Sequence, residues 1–347
     1  MKRRSRFAAL FVVLLLFASL RAQETPSAPK SSPHLFPIVQ DGKWGYIDKT
    51  GKVIVSPRFY YANDFYEGVA WIEPFAVLDA SVRDVHATRL QLIDESGQVC
   101  APKIYSSALP FYEGLALVMV PSERGAGYID TTGKFVIAQD DSLQWAGSFS
   151  EGFAAIKQSG KIGFIDKTGK IVIVPQFSEV YRFREGLAAV KQNKKWGFID
   201  KTGKMVIPPQ YEIAYGHFEG LAAVRDGGKW GFIDKTGAMA IKPQFSHALE
   251  FADGLAQVKK DGKWGYTDET GTVVISPRYE VAGRFSEGLA AIKQSGKWGY
   301  IDKNGQMIIQ PQFEEAAAFM QGIAKVRIDK KLGYIDQTGK YIWPPTK

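Results

Sequence analysis

The stretch EGLAAVKQNKKWGFIDKTGKMVIPPQY, Glu185 to Tyr211, decides the fold. Three short apolar runs, Leu187–Val190, Trp196–Ile199 and Met205–Ile207, are separated by Asn193-Lys194 and Lys201-Thr202-Gly203. Runs this short, the last two rich in aromatic or β-branched residues, read as strands joined by hairpin-length loops. Gly203 takes a positive φ without steric penalty. Pro209 cannot donate to a ladder and is expected to end the third strand. The segment therefore predicts a three-stranded antiparallel meander, with a short fourth strand drawn from Glu212 to Phe218.

The Asp that closes the second run recurs as Asp48, Asp94, Asp130, Asp166, Asp200, Asp234, Asp268, Asp302 and Asp336, each with Gly three residues on. The spacings are 46, 36 and 36 residues, then 34 five times. A fixed period of this kind marks a tandem array of one small unit. Within the second strand Trp196 and Phe198 share one face while Gly197 and Ile199 share the other. Both faces are apolar, so each unit must be covered on both sides by its neighbours.

Variation among the units sorts core from contact. The Trp position holds Trp44, Trp196, Trp230, Trp264 and Trp298, but also Ile162, Leu332 and Ala126. Core filling tolerates that exchange; stacking on a sugar or base does not. The position after Gly alternates between Phe198-type and Tyr300-type residues, so its hydroxyl is not required. The Gly between them points to a bulge or a close backbone approach. A second marker, Glu-Gly-Leu-Ala, starts at Glu113, Glu185, Glu219 and Glu287, with variants at Glu67, Glu151, Asp253 and Gln321.

The repeated Lys-Trp-Gly-Tyr/Phe-Ile-Asp-Lys-Thr-Gly-Lys, followed by Val-Ile and Pro-Gln-Phe, resembles the bacterial WG-repeat family. The match is specific over Gly163–Lys347 and weak in the second unit, where Gln91-Leu92-Ile93-Asp94 lacks both Trp and Gly. The resemblance implies exported or surface-associated proteins with no shared catalytic residues. The expected fold is all-β: about nine three-stranded or four-stranded antiparallel β-meander repeats of period 34, in a propeller-like ring or an open β-superhelix. Nine exceeds the four to eight blades typical of propellers, which tilts the reading toward a curved array.

Residues 1–22 read as a signal peptide: a basic head, an apolar run from Phe7 to Leu20, and Ala22 near the exit. Residues 23–34 form a Pro/Ser-rich leader, and residues 35–347 the repeat domain, with divergent units over 35–160 and regular ones over 161–347. The chain has 44 basic and 36 acidic side chains. Lys2, Arg3, Arg4, Arg6 and Arg21 have no acidic counterpart before residue 23, so the remainder carries 39 against 36, or +3. That small charge gives no electrostatic case for nucleic acid. The expected destination is the periplasm or the outside of the cell, with no membrane span left after cleavage.

Candidate chemistry is sparse. Asp-Lys-Thr-Gly looks like the phosphorylated loop of P-type ATPases, but an Asp before a Gly-bearing turn hydrogen-bonds its own backbone, which explains every copy. His34, His86, His217 and His247 fall at unrelated positions of the unit, without metal-ligand spacing. Cys100 is the one cysteine and reads as a buried, inert thiol. No catalytic residue, metal or cofactor is expected. The least repeat-like feature is an insertion over 75–88, between Glu67 and Asp94. It carries Asp79, Arg83, Asp84 and His86, the candidate binding set, because insertions in arrays become loops on one face. The expected role is a rigid, non-catalytic surface for a protein partner. A glycan or peptidoglycan-binding module, using Tyr60, Tyr61 and Trp71, is the alternative, and a hydrolase built on the insertion is the third reading.

Overall fold

A computed structural model of the chain describes residues 35–74, 89–120, 126–140 and 145–346. All regular structure in them is β, arranged as eight antiparallel sheets in chain order. The fifth unit shows the pattern: a short inner strand Glu179–Val180, a second strand Leu187–Gln192, a third Lys195–Asp200 and an outer strand Met205–Tyr211. The fourth strand expected after each meander is thus the inner strand of the next unit. The first two units share one six-stranded sheet, because Val53–Ala62 pairs with the first unit through Phe59 and with the second through Ala62. Eight sheets therefore hold nine units.

Two local devices shape each unit. The second-to-third hairpin turns on two residues with positive φ, Asn193 at 51° and Lys194 at 66° in the fifth unit. Such turns match the right-handed twist of the strands they join. Between the third and outer strands, Trp196 faces Tyr211 and Phe198 faces Ile207, so two steps on one strand oppose four on the other. This bulge corrects the expectation for Pro209: the outer strand runs through Pro208 and Pro209 to Tyr211. Proline is tolerated there because the bulge lies on an edge strand where no neighbour needs the N–H. It also blunts an edge that exposes Val174 and Val206. Gly197 lies opposite the bulge, where an added Cβ would stand 2.4 Å from the Ile207 carbonyl oxygen and 2.7 Å from Pro209 N. With the outer strand so placed, a side chain on Gly197 would collide with that backbone.

Neighbouring side chains on one strand serve different cores. Ile199 packs with Phe164 and Ile173 of the fourth unit, whereas Phe198 packs with Val224 and Ile233 of the sixth. The same rule carries round from the last unit to the first. Tyr334, in the Phe198 position, shares a core with Phe36 and Ile38, and Ile47, in the Ile199 position, with Ile323 and Leu332. A Cβ on Gly203 would touch Ile173 of the preceding unit at 3.3 Å, and one on Gly51 of the first unit would meet Ile342 of the ninth. The array thus returns on itself by face-to-face packing, which settles the choice between ring and open superhelix. Among the described strands none pairs the last sheet with the first.

Polar groups complete that seam. In other units the carbonyl at the centre of the second strand accepts from the inner strand, as Ala189 does from the Tyr181 amide at 2.9 Å. In the first unit this position is Pro37, whose carbonyl accepts instead from the Tyr334 hydroxyl at 2.8 Å. Two residues on, the Val39 carbonyl accepts from the Thr346 hydroxyl at 2.5 Å. Lys325 of the ninth unit reaches past the first to Asp64 of the second at 2.9 Å.

Candidate interaction surfaces

The candidate set Asp79, Arg83, Asp84 and His86 lies outside the described residues, as do the segments over 1–22 and 23–34. The repeated polar groups lie inside them, and the sheets sort these groups onto two opposite rims.

One rim carries the Asp and Glu rows. Asp200 Oδ1 accepts from the Thr202 amide at 2.9 Å, the Thr202 hydroxyl at 2.6 Å and the Lys204 amide at 3.0 Å. The Thr202 hydroxyl, with these amides, holds the Asp200 carboxyl below its ordinary value. The row is turn chemistry, as the sequence reading held, and the other units repeat it. Among the described residues no group of three carboxylate, imidazole or thiol side chains is placed to hold a metal ion.

The Glu-Gly row has a role that the sequence reading missed. Each Glu takes a positive φ, 50° at Glu185, and opens a tight turn with the following Gly. Its carboxylate then reaches the same turn one unit further on. Glu185 Oε2 accepts from the Gly220 amide at 3.0 Å, and Glu287 accepts from the Gln321 and Gly322 amides at 2.6 and 2.8 Å. Lysines that follow the Asp close the same joints: Lys201 to Glu151 at 3.1 Å and Lys235 to Glu185 at 3.0 Å. The available signal was a carboxylate at a glycine-type turn position, repeated at the unit spacing.

The opposite rim holds the two-residue hairpins and is basic. The residue opening the third strand is Lys in seven described units: Lys43, then Lys161 and every 34th residue to Lys331. A second basic row runs from Lys157 at the same interval to Arg327. Within it Lys191, Arg225 and Arg327 face Glu179, Glu212 and Glu315 at 2.6, 3.3 and 3.1 Å.

Aromatic residues and histidines divide between core and surface. Trp196 and Trp230 are buried, and Trp44, Trp264 and Trp298 are half-buried. Trp71 is buried and donates its indole N–H to the Leu109 carbonyl at 3.0 Å, so it offers no face to a sugar. Tyr60 and Tyr61 are exposed, at 62% and 44%. Cys100 is half-buried rather than buried, and burial pushes its thiol up. His217 fills a place held by Phe183 and Phe251 in the units beside it, its ring 4.9 Å from Phe198. It is almost wholly buried, and its Nδ1 has no partner. His247 lies between Trp230 and Trp264, at ring distances of 5.0 and 5.6 Å.

A circle of β-sheets built from one short unit, with structural carboxylates on one rim and cations on the other, defines a repeat protein of propeller-like form. The chain belongs to the family described as WG containing repeat, whose model matches residues 44–73, 92–120, 127–161, 162–196, 196–230, 230–264, 264–298 and 298–331. Comparison with curated proteins gives no match. Among solved structures, a eukaryotic initiation factor is similar over 89% of this chain and 95% of its own, at 13% identity and a TM-score of 0.60. That likeness shows the fold alone. BamB from Moraxella catarrhalis, at 11% identity over 91% of this chain and 95% of its own, has a TM-score of 0.44. The dihydro-heme d1 dehydrogenase NirN, at 13% identity over 85% and 77%, has a TM-score of 0.47.

Proposed function

We propose that the protein is an exported, non-catalytic scaffold of the bacterial cell envelope whose rigid circle of sheets presents surface to a protein partner. One observation carries the reading: the carboxylates repeated in every regular unit are engaged in turns and in joints between units. A side chain so occupied holds the ring together and is not poised for reaction. The surface that remains is long, rigid and polar, which suits contact at many points. Export rests on the basic head and apolar run before residue 23. Capture of partners from an envelope extract by the chain starting at Gln23, run beside purified peptidoglycan and polysaccharide, tests the role. Retention by the polysaccharides alone would replace it with glycan binding, a reading favoured by exposed Tyr60 and Tyr61. Deleting 75–88 tests the insertion, because undiminished capture would remove it from the binding surface.

A further inference from the structure

The hairpin rim carries lysines that form no ion pair with a described residue. Of the six lysines from Lys161 to Lys331, five are exposed and the last is half-buried. None of the six forms an ion pair with a described residue. On the opposite rim, by contrast, Lys167, Lys201 and Lys235 are each paired to a Glu. Because the six hold one position in equivalent strands of a closed circle, they lie along one rim. The loops beside them are two residues long, with tips such as Ser159-Gly160, Gly227-Gly228 and Ser295-Gly296. Glu212 and Glu280 are drawn back to cap hairpin amides, at 3.2 Å to Gly228 and 3.2 Å to Gly296. Asp226, at a strand end opposite Lys229, and Asp261 and Asp329, at tips, lower the local charge, as do the Glu partners of Lys191, Arg225 and Arg327, yet Lys157, Lys259 and Lys293 stand with the six lysines against them.

We propose that this rim docks on the surface of an anionic phospholipid bilayer. The proposal rests on the scaffold reading and names one surface that the scaffold rides on. Three features favour a bilayer over an acidic protein. The tip row is entirely Lys, a hydrated point charge that follows charge density, where Arg would add the geometric fork that reads a particular partner. The described hairpins on this rim are two residues long, so it offers no long loop to wrap a peptide. A planar sheet of phosphate charge meets the whole rim at once, and each Lys near such a surface adds to the attraction. No aromatic or aliphatic side chain stands at the glycine and serine tips, so the contact is adsorption, reversible and weakened by salt.

The test uses the chain beginning at Gln23, which lacks the basic leader and retains every described residue. It is sedimented with vesicles of equal parts phosphatidylglycerol and phosphatidylcholine, and with phosphatidylcholine alone. Binding to the first and not the second is expected, falling steeply with added salt. The triple change Lys195→Gln, Lys229→Gln and Lys263→Gln is expected to lower the binding constant about a hundredfold, at roughly fivefold per lysine. Lys170→Gln with Lys204→Gln, on the opposite rim, is expected to leave it within about twofold of the parent, and circular dichroism confirms that both variants fold. Equal losses per lysine from the two rims would overturn the proposal, because net charge rather than a face would then be read. Absence of vesicle binding would overturn it as well. If the envelope extract still yields a protein partner in that case, the scaffold reading stands and only bilayer docking falls. A partner lost on the triple change, with vesicles unbound, would assign the rim to an acidic protein.

Discussion

The glycine of the Trp-Gly pair is the most exacting position in the unit, and Gly197→Ala measures how exacting. The added Cβ would lie 2.4 Å from the Ile207 oxygen and 2.7 Å from Pro209 N, both backbone atoms, at distances that Cβ atoms essentially never show. Relief requires the outer strand to move away by close to an ångström. That movement weakens the ladder at Phe198 and Ile207, about 1 kcal/mol per hydrogen bond, and loosens Ile207, which is 2% exposed. With a loss of packing of similar size, the substitution is expected to cost about 3 kcal/mol. The ninth unit supplies the control. There the bulge is smaller, Leu332 facing Thr346 and Tyr334 facing Trp343, and a Cβ on Gly333 would stand 3.1 Å from the Trp343 oxygen. Neither glycine has a positive φ, so the two substitutions differ in space and not in backbone preference. Urea unfolding followed by tryptophan fluorescence is expected to show Gly197→Ala at least 1.5 kcal/mol less stable than Gly333→Ala, a threshold set at about half the estimated cost. Gln91, which holds this position in the second unit, shows that the bulge can form around a side chain, so the expectation is a loss of stability and not of fold. Equal effects from the two glycines would refute the steric account.

Three further outcomes follow from named contacts. Glu185→Ala removes the acceptor for the Gly220 amide and is expected to cost about 1 kcal/mol, with Glu185→Gln retaining part of it; hydrogen exchange at Gly220 gives the local readout. Tyr334→Phe with Thr346→Val frees the Pro37 and Val39 carbonyls at the seam, and is expected to speed exchange in Lys43–Asp48 while leaving the fifth and sixth units unchanged. Burial holds the His217 imidazole below its ordinary value, so the unfolded chain takes up a proton first as pH falls. The corresponding stability is present above the unfolded value, about 6.5, and is lost as pH drops toward the folded one. His217→Phe is therefore expected to shrink the fall in urea midpoint between pH 7.5 and pH 5.5. An unchanged difference between the two midpoints would count against titration at that ring.

What the sequence disclosed was local chemistry. An Asp two residues before a Thr and three before a Gly specifies its own turn, and the structure returns that turn intact. The Trp and Phe/Tyr positions read as core because their variation preserves bulk and not polarity, and two of the five Trp side chains are buried outright. The outer strand runs past Pro209, against the expectation of a stop there, because a bulge opposite Gly197 has room for it. The Glu row is visible as a marker, but its role is not, because its partner amide lies 35 residues away in the chain, as Gly220 does from Glu185. Periodicity reports that units are alike; it is silent on which atoms of one touch the next. The insertion carrying Asp79, Arg83, Asp84 and His86 falls outside the described residues, so the functional expectation placed on it has no geometry against which to be judged.

Closure escaped the sequence for a related reason, and it shows what the first unit had to give up. Every later unit has an inner strand whose amides meet the central carbonyl of the second strand, whereas the described part of the first unit begins at that second strand. A carbonyl left there without a donor is unfavourable once buried. The chain answers with two departures from the repeat, Pro37 and Lys325, and with a new acceptor for a consensus residue, Tyr334. Pro37 stands where Ala189 stands elsewhere, so that position has no N–H to pair. Tyr334 turns its hydroxyl to the Pro37 carbonyl, whereas Tyr300 gives its own to Ala317 beside the next inner strand. Lys325 replaces the usual small residue and bridges to Asp64 of the second unit. Pro37 and Lys325 are defects against the consensus of the unit, and with Tyr334 they satisfy the seam. Deviation from a repeat is thus informative in pairs: substitutions near the two ends that compensate each other in hydrogen-bonding capacity are the mark of an array that closes on itself.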